Sequence, residues 1–202
     1  MIDEALRPTK DRVVGPIARR MAPLVRPGWI TLASLLACTA AGAVAATGRR
    51  WPAVALWLFG RLLDGIDGSI ARERRQASDL GGYLDMMADT AGYAAVPLGL
   101  AVARADAHTW AACAVLLASF YINTMSWTYL SAIAEKRSAG AAARGERTTI
   151  HMPTGLIEGT ETIVLFTLML ALPAMATGWF VTMSVLVAIT VTQRLVWAQS
   201  NL

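Results

Sequence analysis

The chain has 202 residues, of which 55% are hydrophobic and only 16% charged, with a formal net charge of +4. A water-soluble domain carries about a quarter charged residues. The composition therefore excludes an ordinary soluble fold and points to a single membrane-embedded unit in a lipid bilayer, with no nucleic-acid partner expected.

The first segment, RPTKDRVVGPIARRMAPLV, precedes any long apolar run. Val13, Val14, Ile17, Met21 and Val25 fall on one helical side, with cations on the other. That is the pattern of a helix lying in the membrane interface, with Pro16 bending it or marking its start. No short apolar core followed by a small-residue cleavage site is visible, so the first apolar run is expected to be a retained span.

Six runs then reach the roughly 20 apolar residues that a crossing needs. They are Trp29 to Thr47, Trp51 to Ile70, Leu84 to Val102, Thr109 to Ile133, Ile157 to Ala176 and Trp179 to Trp197. The runs are long and continuous rather than alternating, which predicts helices. The expected fold is all-α: one polytopic domain over residues 1–202, with an interfacial segment (1–27) and a six-helix transmembrane bundle (28–202). Cys38 and Cys113 lie inside apolar runs and read as buried free thiols.

Lys and Arg set the orientation. Arg7, Lys10, Arg12, Arg19, Arg20 and Arg26 precede span one. Arg72, Arg74 and Arg75 follow span two, and Lys136, Arg137, Arg144 and Arg147 follow span four. The other side holds only Arg49, Arg50 and Arg104. This asymmetry predicts a cell membrane (inner or plasma membrane) protein with both termini in the cytoplasm. The segment EKRSAGAAARGERTTIHMPTG is the longest polar loop, and its His151 reads as a hydrogen-bonded loop residue.

The chemistry concentrates in DGIDGSIARERRQASDLGGYLDMMAD, residues 64–89. Asp64 and Asp67 are three apart near the end of span two, and Asp85 and Asp89 are four apart at the start of span three. Each pair shares a helix face, and the short turn between them makes the two spans antiparallel neighbours. Four carboxylates converging in a membrane repel one another and lose hydration. An all-oxygen set of this kind suits Mg²⁺ or Mn²⁺, and two ions would roughly neutralise it; one ion, or one protonated Asp, would also fit. Gly65, Gly68, Gly81 and Gly82 let a helix or a bulky ligand approach the backbone. Arg72, one turn beyond Gly68, is placed to meet a phosphate.

The pattern Asp64-x-x-Asp67-Gly68-x-x-Ala71-Arg72, eight residues, Gly81-x-x-x-Asp85-x-x-x-Asp89 resembles the signature of the CDP-alcohol phosphotransferase family at every fixed position. The resemblance implies transfer of a phospho-alcohol from a CDP-alcohol donor, expected to be CDP-diacylglycerol, to a small alcohol acceptor with release of CMP, and a homodimer. It assigns Asp64, Asp67, Asp85 and Asp89 to divalent metal, two ions being expected, and Asp89 also to the role of general base. It assigns Gly68, Ala71, Arg72, Ser78 and Gly81, with Asp67, to the CDP moiety. Pro27-Gly28-Trp29-Ile30-Thr31 resembles the family's nucleotide-contacting segment, with Gly28 where Asn is usual.

The acceptor is less legible. Arg61, one turn before Asp64, reads as a salt bridge to Asp64 or to an acid on span five, or as a phosphate contact. Glu158 and Glu161 share a face at the start of span five and read as structural partners, of Arg61 for example, or as contacts to the acceptor; Lys136 and Arg144 could supply a phosphate site. Gly159 and Thr162 stand where inositol-phosphate-accepting members carry Arg, which argues against that acceptor. Two other readings are a membrane prenyltransferase and a divalent-cation transporter. The first separates its acidic motifs widely in sequence, and the second places acids along a path through the bilayer.

Overall fold

The structure is a computed structural model that describes residues 14–74, 78–137 and 155–201. Among these residues there are helices and no strand. A first helix, α1, covers residues 14–21. It is followed by α2 (Pro27–Ala46), α3 (Arg50–Glu73), α4 (Asp79–Arg104), α5 (Ala107–Lys136), α6 (Gly159–Ala171), a 3₁₀ turn (Pro173–Met175) and α7 (Ala176–Asn201). Each expected span has its helix. Four segments are long and apolar enough to cross a membrane: α2, α4, α5 and the stretch Pro173–Asn201.

The other two helices depart from the expected span in different ways. At 24 residues α3 is about 36 Å long, but it carries Arg61, Asp64, Asp67 and Arg72. At 13 residues α6 is about 20 Å long, short of the hydrocarbon thickness. The expected fifth span ran on to Ala176; Pro173 ends the helix. Proline has no N–H to continue the ladder, and it pushes the residue before it out of the α region. Leu172 accordingly sits at φ −122°, ψ 57°.

Helix α4 also starts earlier than expected. Ser78 caps α4, its Oγ accepting from the Gly81 N–H at 3.1 Å. The helix therefore starts at Asp79 rather than Leu84, and Asp85 and Asp89 stand well inside it. On the far side Asp106 caps α5: Oδ1 accepts from the Thr109 N–H at 2.9 Å and Oδ2 from the Thr109 hydroxyl at 2.7 Å.

Helices α2, α3 and α4 form one tightly packed unit. Where α2 crosses α4, a side-chain carbon on Gly42 would collide with the Ala95 backbone, and one on Gly99 with the Gly42 backbone. Only glycine permits that approach. Below the crossing, Gly60 and Gly92 both pack on Cys38. The core continues through an aromatic cluster: Trp57 stacks on Phe166 at 5.2 Å, Phe166 on Phe120 at 6.1 Å, and Tyr93 meets Phe166 edge-on at 5.6 Å. This cluster ties α3, α4, α5 and α6 together, and the Trp57 Nε1–H donates to the Ile163 carbonyl at 3.4 Å.

The N-terminal helix packs against the bundle. Val14, Ala18 and Ala22 bury themselves against Ile30 of α2 and Ile66 and Ile70 of α3, with Met21 and Val25 alongside. Ile17, expected on the same side, is 38% exposed, and Arg19 and Arg20 face outward. The apolar side of α1 is thus spent on the helix that carries Asp64 and Asp67. Val13 lies outside the described residues.

Candidate functional site

The hairpin α3–α4 brings its carboxylates together at one end of the bundle. Oxygens of Asp64, Asp67 and Asp85 lie within 4.8 Å of one another. An Mg²⁺ or Mn²⁺ ion bonds oxygen at about 2.1 Å, so the three groups need to draw in by only about an ångström to share one ion. The donor set is all carboxylate oxygen, as a hard divalent cation requires. Asp67 is the buried member at 5% exposure, and its Oδ2 accepts from the Thr31 hydroxyl at 2.7 Å. Thr31 reaches it from α2, one turn after Pro27, which opens the helix.

Asp89 stands beside Asp64 and is held by a cation. The Arg61 Nη1 donates to Asp89 Oδ1 at 2.6 Å and stands 3.7 Å from Asp64 Oδ2. Arg61 is 7% exposed; both of its terminal nitrogens are engaged, while its buried Nε meets no hydrogen-bond acceptor among the described residues. Nη1 also donates to the Tyr93 oxygen at 3.3 Å and Nη2 to Cys38 Sγ at 3.5 Å. The guanidinium carbon lies 5.2 Å from the Trp57 ring centre and 5.3 Å from that of Tyr93, cation–π distances. The salt-bridge reading of Arg61 holds for Asp64, and the closer partner is an acid on α4 rather than one on span five.

The residues expected around a nucleotide surround the acids unevenly. Gly68 and Ala71 follow Asp67 on α3, and Gly68 would have no neighbour nearer than Arg72 Nη1 if it carried a side chain. Arg72 is exposed, donating to Ser69 Oγ at 3.1 Å. Ser78 and Gly81 are joined by the α4 cap. In the Pro-led segment, Gly28 and Trp29 are exposed, but Ile30 is 4% exposed and belongs to the cluster with Ile66 and Ile70.

The expected acceptor residues are dispersed. Glu158 and Glu161 form a reciprocal capping box at the start of α6. The Glu161 carboxylate accepts from the Glu158 N–H at 3.3 Å, and the Glu158 carboxylate also accepts from the Gly155 N–H at 3.2 Å. Arg61 turns to Asp89 and Asp64 rather than to either glutamate. Lys136 stands exposed in the last turn of α5, and Arg144 lies outside the described residues, as does His151.

One buried cation went unnoticed in the sequence. Arg194 on α7 is 5% exposed and donates to Asn123 Oδ1 on α5 at 2.6 Å. It packs beside Gly155, near the start of α6. Its signal was available: VTQRLVW places a single cation inside an otherwise apolar run, and such a residue needs a partner.

Comparison with known proteins agrees with this arrangement. The family model described as CDP-alcohol phosphatidyltransferase matches residues 24–198. The inner membrane protein YnjF of Escherichia coli is 33% identical over 181 residues, 89% of this chain and 84% of that protein. The archaetidylinositol phosphate synthase of Methanothermobacter thermautotrophicus is 33% identical over 94 residues, 46% of this chain and 47% of its own. The fold is also that of Mycobacterium tuberculosis phosphatidylinositol phosphate synthase. Its structure with CDP-DAG bound superposes with a TM-score of 0.71 at 23% identity, covering 91% of this chain and 92% of that one. The same enzyme with manganese and citrate gives 0.70 at 22% identity, over 90% and 87%. With the family model spanning most of its length, the chain belongs to the CDP-alcohol phosphatidyltransferase family.

Proposed function

We propose that this protein transfers a phosphatidyl group from CDP-diacylglycerol to a small alcohol, releasing CMP, at a divalent-cation site that opens to the cytoplasm. The observation that carries the reading is the convergence of Asp64, Asp67 and Asp85 from both helices of one hairpin, with Asp89 held beside them. Family membership supports it, and the solved neighbours with CDP-DAG and with manganese show ligands of that class on this fold.

In this reading Asp64, Asp67 and Asp85 hold Mg²⁺ or Mn²⁺, which when bound offsets charge on the diphosphate oxygens. Gly68 and Ala71 leave room for the nucleotide against α3, and Arg72 and Thr31 flank it. The acceptor oxygen bonds to the lipid-bearing phosphorus while the bond from that phosphorus to the CMP oxygen breaks. The hydroxyl proton passes to Asp89, because an alcohol is a poor nucleophile at neutral pH without a nearby base. Catalysis otherwise consists of positioning and electrostatics. The protein works as a homodimer in the inner or plasma membrane. Its acceptor lacks the phosphate that Arg at positions 159 and 162 would bind, since those positions are Gly159 and Thr162.

The test is CMP release by purified protein with Mg²⁺, CDP-diacylglycerol and a panel of phosphorylated and unphosphorylated alcohols. Release with an unphosphorylated alcohol is expected. Absence of CMP with every donor and alcohol tried would sink the reading, and turnover confined to phosphorylated acceptors would sink its acceptor half.

A further inference from the structure

Asp64 on α3 and Asp89 on α4 stand side by side, and Asp67 and Asp85 crowd the same end of the hairpin. Carboxylates packed this closely push their helices apart unless a positive charge lies among them. We propose that Arg61 is the built-in counter-ion of the whole acid cluster: it keeps the α3–α4 hairpin closed in the metal-free protein and holds divalent-cation affinity down, because guanidinium and metal compensate the same carboxylates. This rests on reading the acids as metal ligands.

Three observations carry the inference. The first is position. The Arg61 Nη1 lies 2.6 Å from Asp89 Oδ1 on one helix and 3.7 Å from Asp64 Oδ2 on the other, so one charge spans the hairpin. The second is confinement. Nη2 donates to Cys38 Sγ on α2 at 3.5 Å, Nη1 also donates to the Tyr93 oxygen on α4, and the Trp57 and Tyr93 rings flank the guanidinium. Arg61 is 7% exposed, so its charge cannot swing out to water when a metal arrives and continues to oppose the incoming ion. The third is an unmet donor. The buried Nε has no acceptor among the described residues, a cost that an apolar side chain in this place would not carry. Charge, rather than a full set of hydrogen bonds, is what a guanidinium supplies here.

Two cations acting on the same acids are negatively coupled, and the coupling is reciprocal. Whatever Arg61 adds to the metal-free fold beyond its contribution to the metal-bound one reappears as weaker metal binding. Arg61 is thus a positioning residue that acts through Asp64 and Asp89.

The test is thermal melting of the purified full chain in detergent, followed by circular dichroism in EDTA and in saturating Mn²⁺, with Mn²⁺ affinity measured by calorimetry. Wild type should stay folded in EDTA. Arg61→Gln should melt several degrees lower in EDTA, regain most of that loss in Mn²⁺, and bind Mn²⁺ at least about fivefold more tightly. Arg61→Lys keeps the charge and should bind Mn²⁺ within about fivefold of wild type. An Arg61→Gln protein lowered equally in both conditions, with unchanged or weaker Mn²⁺ affinity, would overturn the inference and leave the metal reading standing. Wild type that binds no Mn²⁺ would overturn both. Should Arg61→Gln fail to insert, the other two proteins decide: wild type unfolding in EDTA, or Arg61→Lys outside that affinity range, would overturn the role given to Arg61.

Discussion

Thr31→Val is a sharp probe of the site. It removes a hydroxyl one turn into α2 and keeps the branched shape of the side chain. The lost interaction is the 2.7 Å bond from Thr31 Oγ1 to Oδ2 of Asp67, the most buried of the three converging acids. A hydrogen bond to a charged group contributes about 1.5–3 kcal/mol. At about 1.4 kcal/mol per factor of ten, that corresponds to a loss of roughly ten- to a hundredfold in divalent-cation affinity, the range typical for groups that orient a metal ligand. The assay is the Mn²⁺ concentration giving half-maximal CMP release, paired with direct Mn²⁺ binding. Both midpoints should rise together, while the rate at saturating Mn²⁺ changes less. Thr31→Ser keeps the hydroxyl and should stay near wild type. A Thr31→Val midpoint within twofold of wild type would show that α2 does not orient Asp67 for a metal.

Asp67→Asn and Asp89→Asn should each abolish CMP release while the protein still inserts and elutes as wild type on size exclusion; activity in either would defeat the corresponding role. Gly99→Leu should lower the unfolding temperature in detergent by several degrees or prevent folding, because its side chain would enter the Gly42 backbone; wild-type melting would mean the helices cross less closely. Asp106→Ala should also melt earlier at neutral pH. The Thr109 N–H and hydroxyl, with Arg104 beyond them, hold the Asp106 carboxyl below the ordinary carboxylate range. A group lowered on folding stabilises above its unfolded value, near 3.9, and loses that contribution as pH falls through the folded value. The gap between variant and wild type should therefore be full at pH 7 and close below about pH 4; a gap constant down to pH 2 would rule out the ionised cap.

How far the sequence reached differs from residue to residue. The aspartates were legible because a carboxylate in an apolar run needs a reason, and four at helical spacing in one hairpin supply each other's. The helices were legible from apolar length. The end of α6 was not, although Pro173 was in plain sight, because the run LMLALPAM is apolar on both sides of it. Arg61 marked itself as needing a partner, but whether Asp64 or Asp89 lay closer depends on the rotation of α4 against α3, which periodicity does not fix. Ser78 set that relation by starting α4 five residues earlier than its apolarity suggested. Glu158 and Glu161, candidates for an acceptor, form a cap whose Glu-x-x-Glu spacing was readable as such.

The aromatic cluster beneath Arg61 has a bearing on the cell as well as on the fold. Carboxylates and a guanidinium sunk into a membrane are the makings of a proton wire, and a bilayer holding an electrochemical gradient tolerates no such wire from face to face. Trp57 and Phe166, each with no exposed surface, close the bundle directly below the polar groups, and Val96 and Leu100 continue the seal along α4. Trp57, which grips Arg61 from one side and stacks on Phe166 from the other, is thus where the polar end of the bundle gives way to its apolar interior.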